Sequence, residues 1–147
     1  GTMTAPNPEA VQRCIKDAID DANIYARDID TINGHLTATS KDSLEIENWT
    51  KALNRRGNDF PHINSLKSMV GHCLAGAGSI ESVATVLQLK EQFLFPNINC
   101  EDLHPEITQL ISEDKIVQKT MDAELKIAAK ASFGFGDVNA CVIFKTY

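Results

Sequence analysis

Lys126-Ile127-Ala128-Ala129-Lys130-Ala131-Ser132-Phe133 and Val138-Asn139-Ala140-Cys141-Val142-Ile143-Phe144-Lys145 are two apolar runs joined by Gly134-Phe135-Gly136-Asp137. Two such runs around a glycine-bearing turn predict an antiparallel hairpin. Stretches such as Ile127-Ala128-Ala129 and Cys141-Val142-Ile143-Phe144 are too apolar to face water on either side. The sheet they belong to is therefore expected to be covered on both faces, partly by something outside this chain.

Upstream, Asn7 before Pro8 is a helix start, with an N-cap side chain followed by a ring whose fixed φ suits the first turn. Val11, Cys14, Ile15, Ala18, Ile19 and Ala22 then recur at helical spacing. Asp28 to Asn33 reads as a short strand ended by Gly34, and a second helix starts near Asp42 or Ser43, presenting Ile46, Trp49 and Leu53. Arg55 to Asp59 reads as a loop and His62 to Leu66 as a strand. A long helix is expected from His72 to Lys90, its apolar surface carried by Leu74, Ile80, Val83, Val86, Leu87 and Leu89. Gly76 and Gly78 inside it cost roughly 1 kcal/mol each relative to alanine, which implies a close backbone approach there. Pro96 prevents continuation, and Asn97 to Thr120 is the least periodic stretch. Alternating helices and strands predict an α/β fold, a sheet with helices packed on it.

The 147 residues suit one domain, 1–147, and 43% apolar content is too high for a disordered acidic tail. With 14 basic and 20 acidic side chains, the net charge of −6 argues against nucleic acid as a partner. No apolar run nears the ~18 residues of a membrane span, and no leader pattern opens the sequence, so a cytoplasmic location without membrane contact is expected. Cys14, Cys73, Cys100 and Cys141 are far apart, which fits neither a disulfide framework nor a zinc ribbon.

Several patterns invite chemistry and fail. Gly71 to Gly78 has the look of a phosphate loop but lacks the Lys-Ser/Thr that reaches phosphate and magnesium. Gly134-Phe135-Gly136 lacks the third glycine of a dinucleotide fingerprint and joins two strands. His72 and Cys73, as helix neighbours, would point about 100° apart, so Cys73 reads as a small buried hydrophobe. His62 and His104 read as ordinary loop residues, and the four histidines have no metal-ligand spacing.

Three segments remain at strand ends and helix starts, where α/β sheets place their sites. They are Ile32 to Thr39, with His35, Thr37 and Thr39; Asn64 to His72, with Lys67 and His72; and Ser132 to Gly136. Together and in this order they resemble the C-terminal half of the β-ketoacyl-acyl carrier protein synthases, the condensing enzymes of fatty-acid and polyketide synthesis. That half carries V-N-x-H-G-T-x-T, then S-x-K-S-x-x-G-H-x-x-x-A-x-G, then S-F-G-F-G-G-x-N. Met3-Thr4-Ala5-Pro6 and Phe95 to Asn99 resemble two further stretches of it.

The resemblance implies a thiolase-like fold in which this chain is only the second half, the nucleophilic cysteine belonging to an N-terminal half. It implies that His35 and His72 donate hydrogen bonds to a malonyl thioester oxygen as it gains enolate charge. A helix N-terminus at His72 would favour its neutral form. Lys67 matches the family lysine, with Glu45 as its expected ion-pair partner. Thr37 and Thr39 match residues that bind the phosphopantetheine arm of acyl carrier protein. In the Phe133-Gly134-Phe135 turn, Phe135 matches the family residue whose backbone N–H joins an oxyanion hole while its ring gates the acyl pocket. No metal or nucleotide cofactor is implied, since the substrate arrives on that arm; acyl carrier protein, the cysteine-bearing half and a second copy of the complete protein are the implied partners. Leu36, Ala38 and Asp137 depart from the pattern, and leucine does not readily adopt positive φ.

The alternative is a non-catalytic partner like the chain-length factors; His35, Lys67 and His72 together favour the enzyme half. A thiolase fits less well, because it would want a C-terminal cysteine in a glycine-rich turn. The isolated chain is expected to show no condensing activity and to self-associate through an exposed apolar face.

Overall fold

A computed structural model describes Met3, Thr4 and residues 6–147; Ala5, part of the Met3–Pro6 stretch, lies outside the described residues. Helix α1 (Pro8–Asp21) starts where Asn7 indicates: the Asn7 side chain accepts from the backbone N–H groups of Glu9 and Ala10 at 3.0 and 3.4 Å. There follow β1 (Thr31–Asn33), α2 (Asp42–Leu53), β2 (His62–Asn64), α3 (Lys67–Val70) and α4 (Ala77–Glu91). The chain ends with β3 (Phe93–Leu94), α5 (Pro105–Thr108), β4 (Met121–Asp122), β5 (Ile127–Gly134) and β6 (Val138–Lys145).

The main sheet has the order β2-β1-β5-β6, with β1 parallel to both β2 and β5. The hairpin β5–β6 is antiparallel from Ile127↔Lys145 to Gly134↔Val138. The predicted α/β class and hairpin hold. One face of the sheet is covered by α1 and α2, whose Val11, Ile15, Ile19, Ile46, Trp49 and Leu53 form a core with Ile32, Ile63, Ala129 and Phe133. The other face carries α4, with a smaller cluster of Leu89, Leu94, Val117, Leu125 and Ala128.

Four expectations need correction. The strand after α1 is only Thr31–Asn33, because Ala26–Asp28 closes a 3₁₀ turn. The region expected as one helix from His72 is broken: after α3, Gly71 takes φ +75, a 3₁₀ turn follows at Leu74–Gly76, and α4 starts at Ala77. His72 is therefore in a loop rather than on a helix N-terminus, and Cys73 is exposed, not a buried hydrophobe. The strand expected over His62 to Leu66 is present from His62 but ends at Asn64, and the His104 side chain caps α5 by accepting from the Glu106 N–H at 3.3 Å.

Helix α4 also faces the opposite way from its apolar pattern. Ala77, Glu81, Thr85, Gln88 and Leu89 are buried, whereas Val83 is 60% exposed, and Ile80, Val86 and Leu87 are exposed with it. Nor do its glycines require a close approach. A Cβ on Gly78 would meet Ser132 Oγ at 3.9 Å, an ordinary contact. The close approach is instead at Gly34, where a Cβ would lie 2.9 Å from Glu45 Oε1.

Candidate active site

The topology brings the three singled-out segments to one end of the sheet. The loop after β1 carries His35, the loop after α3 carries His72, and the β5–β6 turn carries Phe133 to Phe135. The rings of His35 and His72 meet edge to face, 5.4 Å between centroids and 83° between planes. Phe133 packs on the other side of His35 at 6.2 Å. A cleft of 490 Å³ is lined by both histidines, Thr37, Thr39, Glu45, Phe133, Gly134 and Phe135. Lys67 lines a neighbouring cavity of 310 Å³ that shares Thr37 and His72 with it. Phe135 is 75% exposed.

The loop that holds His35 is built by two carboxylates one helical turn apart at the start of α2. Glu45 accepts from the N–H groups of His35 and Leu36, both at 2.8 Å, and from Trp49 Nε1 at 3.4 Å. Asp42 accepts from the N–H groups of Thr37, Ala38 and Thr39 at 3.1, 3.1 and 3.4 Å. Five consecutive amides are thus satisfied by side chains, which fixes the loop without a ladder partner. Leu36 is not among the residues of positive φ; Ala38 takes that conformation at +58°, so the glycine expected after His35 is not required. Asp137, at φ +63°, accepts from the Asn7 N–H at 3.2 Å and from Asn139 Nδ2 at 3.1 Å, tying the turn to the start of α1.

The electrostatics keep His35 neutral. Burial first, then the charges of Lys67, His72 and Lys130, push its pKa down to about 4. At His72 the Leu74 N–H donates to Nδ1 at 3.0 Å. A neutral His72 therefore carries its proton on Nε2.

The predicted Lys67–Glu45 pair is not formed. Lys67 Nζ pairs with Glu81 Oε1, both groups buried, and Glu45 is fully engaged with the His35 loop. The other carboxylate oxygen of Glu81, Oε2, lies 3.6 Å from Lys130 Nζ. Burial, opposed by the amides of His35 and Leu36, pushes Glu45 up to about 7. Neither Glu81 nor Lys130 was singled out from the sequence. The available signal was a charge placed mid-way along an otherwise apolar helix and an otherwise apolar strand.

The model of the "Beta-ketoacyl synthase, C-terminal domain" family matches residues 1–101, which include both histidine segments and Lys67. The chain belongs to this family. Over 147 residues it is 37% identical to 3-oxoacyl-[acyl-carrier-protein] synthase 1 of Haemophilus influenzae, covering 99% of this chain and 34% of that protein. Among solved structures, the ishigamide ketosynthase/chain length factor matches with a TM-score of 0.90 and 28% identity, over 100% of this chain and 35% of that one. A type II PKS acyl-carrier protein in complex with its ketosynthase bound to the hexaketide matches with a TM-score of 0.84 and 28% identity, over 99% and 35%. The fold of this ketosynthase domain is thiolase-like, and the chain spans about a third of the length of the curated relatives it matches.

Proposed function

We propose that this ketosynthase C-terminal domain supplies the two enolate-stabilising histidines of a 3-oxoacyl-acyl carrier protein synthase working in fatty-acid or polyketide synthesis. The observation that carries the reading is the edge-to-face His35–His72 pair opening into the 490 Å³ cleft, with His35 held neutral. In this reading the malonyl C–C bond to carboxylate breaks and carbon dioxide leaves. The electron pair enters the thioester enolate, whose oxygen accepts N–H hydrogen bonds from the imidazoles. The enolate carbon then attacks an acyl thioester on the cysteine of the other half, and that thiolate leaves as the new C–C bond forms. Neutral imidazoles suit this chemistry, because each brings an N–H donor without a proton that the enolate could take irreversibly.

Thr37 and Thr39, with hydroxyls 3.2 Å apart at the rim, are assigned to the phosphopantetheine amides of acyl carrier protein. Lys67 positions the His72 segment through Glu81, while Glu45 positions His35 through its backbone. The Phe135 N–H and ring, with Gly134 and Phe133 as their support, serve acyl transfer. No metal or nucleotide cofactor enters this scheme. The cysteine-bearing half is assigned to the exposed apolar face of α4, and the complete protein to a homodimer. A match to a solved ketosynthase/chain length factor keeps a second reading, a non-catalytic partner, in play.

The test is malonyl-acyl carrier protein decarboxylation by the domain assembled with its cysteine-bearing half, in wild type and in His35→Ala and His72→Ala forms. Losing one donor to a developing oxyanion costs about 10²–10³ in rate, so each variant is expected to fall by that much. Decarboxylation unchanged by both substitutions, or absent from the wild-type assembly, would select the non-catalytic reading.

A further inference from the structure

Glu81 is a hub for one residue of each histidine segment and for the strand that leads into the glycine turn. The β1 residue Asn33, two before His35, donates from Nδ2 to the Glu81 carbonyl and to Thr85 Oγ1, both at 3.1 Å. Lys67, five residues before His72, donates to Oε1. Lys130, three residues before Phe133, faces Oε2 at 3.6 Å. Lys130 sits beside Asn33 in the sheet register, is only 2% exposed, and directs its ammonium onto Ala131 O and onto Ser132 Oγ at 3.1 Å as well. The ammonium thus hydrogen-bonds Ala131 O and Ser132 Oγ and pairs through charge with Glu81 Oε2. Both hydrogen-bond acceptors belong to the residues that lead directly into the Phe133-Gly134-Phe135 turn.

We propose that Lys130 is a positioning residue, tying the strand that enters the glycine turn to Glu81, whose carboxylate holds the Lys67 segment and whose backbone carbonyl accepts from Asn33 of the His35 segment. Glu81 bears one negative charge against two buried ammonium groups, and each leans on a different oxygen of it. Moving the turn therefore means separating a buried ion pair, which costs far more than shifting an exposed loop. The turn follows the carboxylate, and the carboxylate follows α4 and the Lys67 segment. The consequence for catalysis rests on the function proposed above: the Phe135 N–H serves acyl transfer and condensation, whereas decarboxylation draws on the histidines.

Two measurements test this. In the full 147-residue chain, hydrogen exchange is followed for the amides of residues 133–136 and, as reference, for α2. In Lys130→Met the turn amides are expected to exchange about tenfold faster while α2 changes less than about twofold. Lys130→Gln keeps the donors but not the charge and is expected to loosen the turn in the same way; it also serves where the methionine variant does not fold. Unchanged turn exchange, equal loosening of turn and α2, or failure of both variants to fold would overturn the proposal. In the assembled synthase, condensation is expected to fall about tenfold further than decarboxylation, and equal falls would remove the positioning role. The exchange result needs no activity. An inactive wild-type assembly would thus count against the proposed function and leave the role of Lys130 decided separately.

Discussion

Helices α1 and α4 are nearly equal in length, 14 and 15 residues, and cover opposite faces of the same sheet, yet they obey opposite rules. On α1 the buried residues are Val11, Ile15 and Ile19, and the charges point outward, as burial of apolar area dictates. On α4 the buried residues include Glu81, Thr85 and Gln88, while Ile80, Val83, Val86 and Leu87 face outward. The difference follows from what each helix covers. Beneath α1 the sheet offers Ala129, Ala131 and Phe133. Beneath α4 lie Asn33, Asn64 and Lys130, and buried polar groups need polar partners. Asn64 Nδ2 donates to Gln88 Oε1 at 2.7 Å, and Asn33 to Thr85, so the inner face of α4 is a polar seam. The helix turns a polar side to the sheet and an apolar side outward.

The sharpest way to break this comparison is to remove the charge at the centre of the seam. Glu81→Ala leaves Lys67 and Lys130 buried without a counter-charge, and breaking one side of a buried ion pair costs roughly 3–5 kcal/mol. That is comparable to Ile15→Ala on α1, where loss of packing and the resulting cavity cost about 2–5 kcal/mol. Urea denaturation of both variants checks it. A loss below about 1 kcal/mol for Glu81→Ala would mean that α4 is held by its small apolar cluster and not by the seam.

Much of the α1 side was legible in the sequence because one helix, one face and one partner coincide there. Asn7-Pro8 marked the start of α1, and the spacing of Val11, Ile15 and Ile19 marked its buried stripe. The hairpin was legible for the same reason, its apolar runs and glycine turn being local features. The α4 side was not. Hydrophobic periodicity reports a face without reporting what covers it, so Val83 and Leu87 read as core although they point out of this chain. Glu45 was assigned to Lys67 because sequence spacing cannot show that α2 folds back beneath the His35 loop. Lys130 was passed over because a single charge in an apolar strand carries no periodicity at all. The histidines were legible only as parts of ordered motifs; neither has a distinguishing local context of its own.

Acid titration sharpens the comparison on the α2 side, where two groups shift in opposite directions. His35 has its pKa lowered from 6.5 to about 4 by burial and neighbouring cations, so its contribution is present above pH 6.5 and is lost as pH falls toward 4. Glu45 has its pKa raised from 4.5 to about 7 by burial, so its contribution is present below pH 4.5 and is lost as pH rises toward 7. Across this window the two oppose each other, and the stability of the wild-type chain is expected to vary little with pH on their account. Glu45→Gln removes one of them, and its urea midpoint is expected to rise steadily from pH 4 to 6.5. A midpoint as flat as that of the wild type would show that His35 is not buried neutral in the folded chain.

The smallest expected effect on stability is also the most direct test of what α4 covers. Val83 and Leu87 lie one turn apart on its outer face, 60% and 46% exposed. If their partner is another body, Val83→Ser with Leu87→Ser should change the stability of the isolated chain by no more than about 0.5 kcal/mol, the range of ordinary surface substitutions. The same pair should weaken self-association, because it breaks a contiguous apolar patch that also includes Ile80 and Val86. Sedimentation velocity at several concentrations reads the second effect and urea denaturation the first. A stability loss above about 1.5 kcal/mol, of the size seen when buried methyl groups are removed, would place these side chains inside the chain's own core. The inversion of α4 would then be lost, and with it the assignment of this face to a cysteine-bearing half. Unchanged stability with reduced association would leave α4 as the surface that this domain keeps for a second body.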